Sequence, residues 1–358
     1  MFASAQHINR DSYYGGGQDP NAYGNTTDLN WMAGSQYVYS FGKCIFMPAD
    51  LTAGIEFNQD KLEDNMWGYH RTVDQKVNIG SAFFQNEWKN EHWGFLIGGR
   101  LDKHNLIDHV IFSPRANLRY NPTENINLRF SYSSGFRAPQ AFDEDLHVKN
   151  VGGNVAMVEL ADNLKEERSQ SLSASADIYH RFGAFQVNFL VEGFYTKLSD
   201  VFALTDGEVV DGILTRTRYN APGARVMGLT LEGKMAYLTK FQVQAGVTLQ
   251  QSHYSEPHVW NKEAPAVKKM MRTPNTYGYF TATYTPIKPL SIALSGTYTG
   301  SMLVPHEPVP GFLEKPITVN TKDFFDIGLK AAYDFKLYKS MNLQVNAGVQ
   351  NIFNAYQN

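Results

Sequence analysis

The chain has 358 residues and 40.4 kDa, enough for two ordinary domains or for one large all-β architecture. Its 32 basic and 35 acidic side chains give a net charge of -3, which argues against a nucleic-acid-binding stripe, and its one cysteine, Cys44, excludes an intramolecular disulfide framework or a cysteine-based zinc cluster. Mean hydropathy is -0.36 and no run of about 18 apolar residues occurs, which excludes a membrane-spanning helix and leaves a membrane β-barrel open.

At the start, Met1 to His7 has no basic stretch followed by an apolar one, so no secretory signal is visible. Further along, strict alternation of apolar and polar residues governs the sequence, the pattern that sends successive side chains to opposite faces of a strand. Ile126, Leu128, Phe130 and Tyr132 are interleaved with Asn127, Arg129, Ser131 and Ser133. Leu172, Ala174, Ala176 and Ile178 follow the same rule, as do Phe241, Val243, Ala245, Val247 and Leu249. Phe325 to Phe335 and Met341 to Val349 repeat it near the end. These runs hold for about 9 to 15 residues, against about 5 to 6 for a typical strand, and about 9 to 11 suffice to cross a bilayer at a tilt.

The connections sort by length. Short ones at Lys89-Asn90-Glu91, Arg181-Phe182-Gly183, Leu238-Thr239-Lys240, Pro286 to Pro289 and Leu337 to Ser340 alternate with long polar ones. The long ones are expected near Asn9 to Thr27, Lys61 to Asp74, Gly135 to Lys165, Asp200 to Ala221, His253 to Met271 and Ser301 to Thr321, with a shorter one at Asp102 to Asp108. Counting from Phe2 gives about fifteen strands with every short turn on one side. The expected fold is therefore all-β, an antiparallel up-and-down transmembrane β-barrel, incomplete because an odd number does not close a barrel of the usual even type. The whole of 1–358 reads as one barrel domain whose closing C-terminal strand is absent.

Four ordered segments carry a resemblance. Gly135-Phe136-Arg137-Ala138-Pro139 follows a strand; Asp162-Asn163-Leu164-Lys165-Glu166 leads into the next. Tyr219-Asn220 precedes Gly228-Leu229-Thr230-Leu231-Glu232-Gly233, and Asn351-Ile352-Phe353-Asn354-Ala355-Tyr356 ends a late strand. Together they resemble the TonB-dependent outer-membrane receptors, with Thr230 replacing the usual first acid of the third segment. The resemblance implies the later part of a barrel of about 22 strands, with a plug domain and about six strands upstream of this sequence. It implies an outer-membrane location in a Gram-negative bacterium and active uptake of a scarce extracellular small molecule, of the ferric siderophore or cobalamin class. The implied partners are outer-membrane lipid, the TonB complex acting through the plug and, for some members, a surface lipoprotein; no nucleic acid and no cofactor is implied.

Candidate ligand contacts are Asp143, Glu144 and His147 in the loop after Pro139, Trp260 in the His253 to Met271 loop and Phe312 in the Ser301 to Thr321 loop. Aromatics on loops held by a rigid scaffold suit capture of a bulky ligand, and they equally suit loop packing. Arg137 reads either as a contact to an anionic ligand or as a pin for its loop, the second being favoured. His147 occupies the interval where haem-uptake members carry an axial ligand, so a haem receptor of the same family is an alternative. So are a plug-free porin-like barrel and a soluble sugar-active β-protein. No nucleophile elbow, phosphate loop or metal-ligand spacing appears, so an enzyme is not expected.

Overall fold

The computed structural model describes residues 1–13, 23–67, 71–139, 155–205, 208–210, 213–306, 308 and 311–357. Fifteen strands follow one another across a single antiparallel sheet, matching the number expected from the alternation. β1 (Phe2–Tyr13) pairs with β2 (Tyr23–Cys44), and residues 45–46 turn β2 into β3 (Met47–Met66). Residues 90–92 join β4 (Arg71–Lys89) to β5 (Trp93–His104), and 124–125 join β6 (Ile111–Thr123) to β7 (Ile126–Arg137). Residues 183–184 join β9 (Glu167–Phe182) to β10 (Phe185–Ser199), and 238–240 join β14 (Ala224–Tyr237) to β15 (Phe241–His258). Residues 288–289 join β17 (Thr276–Ile287) to β18 (Leu290–Thr299), and 339–340 join β21 (Phe324–Tyr338) to β22 (Met341–Val349). All these tight turns fall on one edge of the sheet. At Gly183 the backbone has φ 58°, a left-handed value that only glycine adopts without steric cost. β1 and β22 each pair on one side only, so the sheet is not closed into a cylinder.

The opposite edge carries every remaining element. β8 (Val155–Leu160) lies between β7 and β9; β11 (Val201–Leu204), β12 (Glu208–Val210) and β13 (Ile213–Ala221) lie between β10 and β14. β13 pairs with β11, with β12 and, in parallel, with β8, so two connections share one small four-stranded sheet. β16 (Val267–Lys269) pairs with the end of β15, and β19 (Leu303–His306) with β20 (Ile317–Asn320).

The long loops are shorter than expected. Most of Lys61 to Asp74 is ladder, because β3 runs to Met66 and β4 starts at Arg71. Likewise β1 reaches Tyr13, β2 starts at Tyr23 and β15 continues to His258. The backbone ladder persists past the apolar band, where both faces carry polar side chains and the alternation that betrays a strand disappears.

Pairing register gives the sheet two chemically different faces. One row runs Phe130, Ala174, Gly193, Leu229, Leu249; the adjacent row on the other face runs Arg129, Ser175, Glu192, Thr230, Thr248, Tyr277. Large apolar side chains stand exposed on the first face, among them Phe130, Leu172, Phe189, Leu229, Leu249 and Leu294. Near the tight turns this face carries a belt of aromatic contacts. Trp93 stacks on Tyr120 at 4.2 Å, Phe46 on Trp88 at 5.6 Å, and Phe185 meets Tyr237 at 4.6 Å. Such a belt is the pattern of a strand wall at a membrane interface. Cys44 lies at one of these turns, its carbonyl accepting the Trp88 indole N–H at 3.0 Å.

The polar face is cross-linked between strands. Arg100 donates from Nε to Asp102 at 2.7 Å and from Nη2 to Glu56 and Ser81, while Ser81 donates to Asp102 at 2.6 Å. These partners lie on β3, β4 and β5. Further round, Tyr279 on β17 donates to Glu232 on β14 and accepts from Gln244 on β15. Its ring lies over Gly246, where an added Cβ would come within 2.8 Å of the ring, so glycine is what admits the tyrosine there.

Candidate functional site at the loop edge

The Gly135 to Pro139 segment leaves the sheet at the end of β7. Phe136 and Ala138 pack against Ile107 and Ile111, an apolar cluster that fixes the direction of the departing loop, and Pro139 is buried beside them. Arg137 lies opposite Glu167 of β9. Its guanidinium sits 5.6 Å from the centroid of Phe202, and the buried Arg218 of β13 approaches the same ring at 5.6 Å. The Glu167 carboxylate accepts the Phe202 backbone N–H at 3.1 Å. Two guanidiniums at cation–π distance from one ring tie β7 to the small loop sheet, and the Glu167–Phe202 hydrogen bond ties β9 to it.

A second lock lies alongside. Glu166 accepts from Arg168 Nη2 at 2.7 Å and lies 3.0 Å from His109 Nε2. Burial by itself would raise the Glu166 carboxyl; hydrogen bonds from Arg168, its own backbone and His109 outweigh it and hold the group below the ordinary carboxylate range. A carboxylate depressed in the folded state contributes stability that is present above its unfolded value and is lost as pH falls through its folded value. The Glu166→Gln variant at neutral pH, and the parent chain at a pH below the ordinary carboxylate range, are therefore both expected to loosen the chain where it enters β9. Limited proteolysis checks this. An unchanged cleavage rate in the variant would contradict the lock.

Two resembling segments meet at Asn220. Its amide donates to the carbonyls of Lys165 and Asp200 at 3.0 and 2.8 Å and accepts the Lys165 N–H at 2.7 Å. At the far end, Asn351 accepts from the Ala355 N–H and donates to the Ala355 carbonyl, closing the turn that follows β22. Both segments thus act as backbone pins, filling polar needs that loops cannot meet by themselves.

Of the candidate ligand contacts, Asp143, Glu144 and His147 lie outside the described residues. Trp260 follows β15 and is half-buried, its indole Nε1 enclosed without a partner among the described residues. Close by in sequence, the Tyr254 and His258 rings meet at 4.8 Å, tilted by 36°; burial pushes the phenol up and the imidazole down. Phe312 is 92% exposed between β19 and β20. Arg137, Trp260 and Phe312 thus stand on three different connections. Sequence reading missed Phe202, Glu166 and Arg218, whose roles depend on strand pairing between distant loops. His104 is fully buried at the end of β5. Its Nδ1 accepts the Leu106 N–H at 3.0 Å, which places the proton on Nε2, and burial lowers its pKa.

On the polar face, Arg119 of β6 lies directly opposite Arg129 of β7 near the tight-turn edge, where Arg119 donates to the Asn90 carbonyl at 3.1 Å, and Arg115 lies further toward the loop edge. Among the described residues no group of three or more His, Cys, Asp or Glu has the arrangement of a metal site.

A family model for the TonB dependent receptor-like β-barrel matches residues 2–352. The chain belongs to the TonB-dependent receptor family. Solved structures agree on the fold. A mutant of the ferric enterobactin receptor PfeA of Pseudomonas aeruginosa in complex with enterobactin superposes with a TM-score of 0.69 at 19% identity, covering 98% of this chain and 54% of that one. The siderophore receptor PirA of the same organism gives 0.66 at 18%, covering 92% and 54%. The FrpB iron transporter of Neisseria meningitidis gives 0.67 at 16%, covering 94% and 53%. This TonB-dependent receptor chain therefore spans about half the length of those structures. No curated protein matches it. Members of the family are receptors and transporters of the Gram-negative outer membrane, so the expected class and architecture agree with the match.

Proposed function

We propose that this chain forms barrel wall and extracellular loops of an outer-membrane receptor that takes up a ferric siderophore by TonB-dependent active transport. The observation that carries the reading is the asymmetry of the sheet. One face is apolar, the other is polar, and elaborated connections occur on one edge only. In this reading the apolar face meets lipid, the loop edge faces outward and the polar face lines the lumen. The loop sheet, clamped at Phe202, is the floor on which the ligand first rests. Arg115, Arg119 and Arg129 make the lumen wall attractive to an anionic complex, which suits a ferric siderophore better than a neutral solute. The neighbours named as siderophore receptors favour the same class. The ligand passes without covalent chemistry, and the TonB complex acts through a plug domain that the family resemblance implies.

The test is saturable binding of a ferric catecholate siderophore to the full-length receptor, followed by tryptophan fluorescence. Saturable binding of the ferric complex, weaker for the iron-free form, is expected. The absence of binding by ferric catecholates and hydroxamates alike, together with passive solute flux through the protein in vesicles, would replace this reading with a porin-like one.

A further inference from the structure

On the polar face, short side chains gather along one strand pair. Register sets Gly135 of β7 opposite Ser169 of β9, Ser133 opposite Ser171 and Ser131 opposite Ser173, and Ser175 follows one row lower. Opposed residues of paired strands share a face, so these positions form a trough in the wall. Among the described residues, no other strand pair of the large sheet sets serine or glycine against serine or glycine in three successive rows of this face. None of the trough positions is buried. At about 3.4 Å per strand residue, Ser169 to Ser175 covers about 20 Å of the wall. A Cβ built on Gly135 would crowd the Ser169 hydroxyl at 3.2 Å, so glycine keeps the upper end clear. One row above it, Arg137 and Glu167 hold the loop sheet through Phe202.

Longer side chains flank the trough on both sides. On β10, Leu198, Thr196, Phe194 and Glu192 lie opposite Ser169, Ser171, Ser173 and Ser175. On β6, Arg115 lies opposite Ser133 and Asn117 opposite Ser131, while Arg119 faces Arg129 at the foot. The flanks are three strand spacings apart, about 14 Å. Arg115, Arg119 and Arg129 form no ion pair among the described residues. Arg119 donates to the Asn90 carbonyl at 3.1 Å and Arg129 from Nε to the Asn127 amide oxygen at 2.7 Å, so neutral acceptors orient both and leave their charge unspent. Like charges directly opposed across a strand pair repel, and an anion between Arg119 and Arg129 relieves that repulsion. Of the carboxylates nearby, Asp177 below the foot accepts from Asn188 and Tyr179, and Glu192 stands on the far flank.

We infer that this trough is the path along which the anionic ferric siderophore crosses the lumen, with the serines setting its bore and Arg115, Arg119 and Arg129 as successive anion contacts. The inference rests on the function proposed above. The trough starts one row below the attachment of the loop sheet, runs toward the tight-turn edge and carries its free cations along one flank. Hydroxyls exchange hydrogen bonds with a moving polar ligand and hold it at no single place, which transit requires. The competing occupant is the plug itself, seated against the short side chains.

The test uses the full-length receptor in cells, in a Cys44→Ser background, carrying either Ser173→Cys or, as control, Thr281→Cys, which lies on the same face opposite Gln244 and Ser295. Each variant is treated with a methylthiolating reagent or with a bulky maleimide, and labelling is confirmed by mass. Surface binding and energised uptake of a radio-iron catecholate siderophore are then measured. The bulky adduct at Ser173→Cys is expected to lower uptake at least about tenfold with surface binding unchanged, while the methylthio adduct there and the bulky adduct at Thr281→Cys leave uptake within about twofold. Arg115→Gln should slow uptake by about three- to tenfold, and Arg115→Lys should restore most of it. Uptake that survives the bulky adduct at Ser173→Cys, an equal loss with the methylthio adduct or at Thr281→Cys, or a Ser173→Cys thiol that neither reagent reaches because the plug covers it, would each overturn the path. A parent receptor that binds no ferric catecholate would instead overturn the proposed function, before any label is added.

Discussion

Leu294→Arg is expected to destabilise the folded protein in lipid vesicles by about 2 to 4 kcal/mol, the range for an arginine on the lipid face near the bilayer midplane. Leu294 is exposed on the apolar face, opposite Ala282 of β17 and Leu329 of β21. Its neighbour Ser295 points to the polar face, opposite Thr281 and Gly328. Ser295→Arg is expected to change stability by less than about 1 kcal/mol, since its guanidinium reaches water. Urea titration of vesicle-embedded protein, read by tryptophan fluorescence, measures both. Equal costs at the two positions would mean that the faces do not meet different solvents.

The second large effect concerns Arg100. Asp102 is only 3% exposed, and its carboxylate accepts from Arg100 Nε at 2.7 Å and from the Ser81 hydroxyl at 2.6 Å. Arg100→Met removes the cation and strands a buried carboxylate, a loss of about 3 to 5 kcal/mol for a fully buried pair. Because the Arg100 side chain is 36% exposed, solvent screening brings the expected cost to about 2 to 3 kcal/mol. The Arg100→Met, Asp102→Asn double variant should recover part of this, since the buried Asp102 charge is gone and only the more exposed Glu56 is left without its arginine. Strictly additive losses would show that the two groups do not act as a unit.

Both predictions rest on features that were legible to different degrees. The period-2 alternation of Phe241 to Gln250 declares two faces because a bilayer imposes a sharp apolar requirement on one of them, and the strand count follows from it. Where β3 and β4 leave the apolar band, Lys61, Glu63, Asp74 and Lys76 face water on the side that carries Phe57 and Phe84 lower down, so the pattern fades while the ladder continues. The loop sheet was invisible for another reason. β8 and β13 pair in parallel across more than fifty residues, and short strands such as Val201–Leu204 carry too few positions to show a period. Arg137 was legible as a motif residue, and the structure places its guanidinium 5.6 Å from the centroid of the Phe202 ring. The ring itself, and the second arginine beside it, depend on pairings between distant segments that no local pattern encodes.

The most direct measurement is a single-cysteine scan along β15 from Phe241 to Gln250 in a Cys44→Ser background, in lipid vesicles, comparing a water-soluble thiol reagent with a lipid-soluble quencher. The wall described here predicts strict alternation, with Val243, Ala245, Val247 and Leu249 reached from lipid and Gln242, Gln244, Thr248 and Gln250 reached from water. Uniform reaction with the water-soluble reagent along the whole strand would contradict a membrane wall, and with it the transport function proposed for this chain.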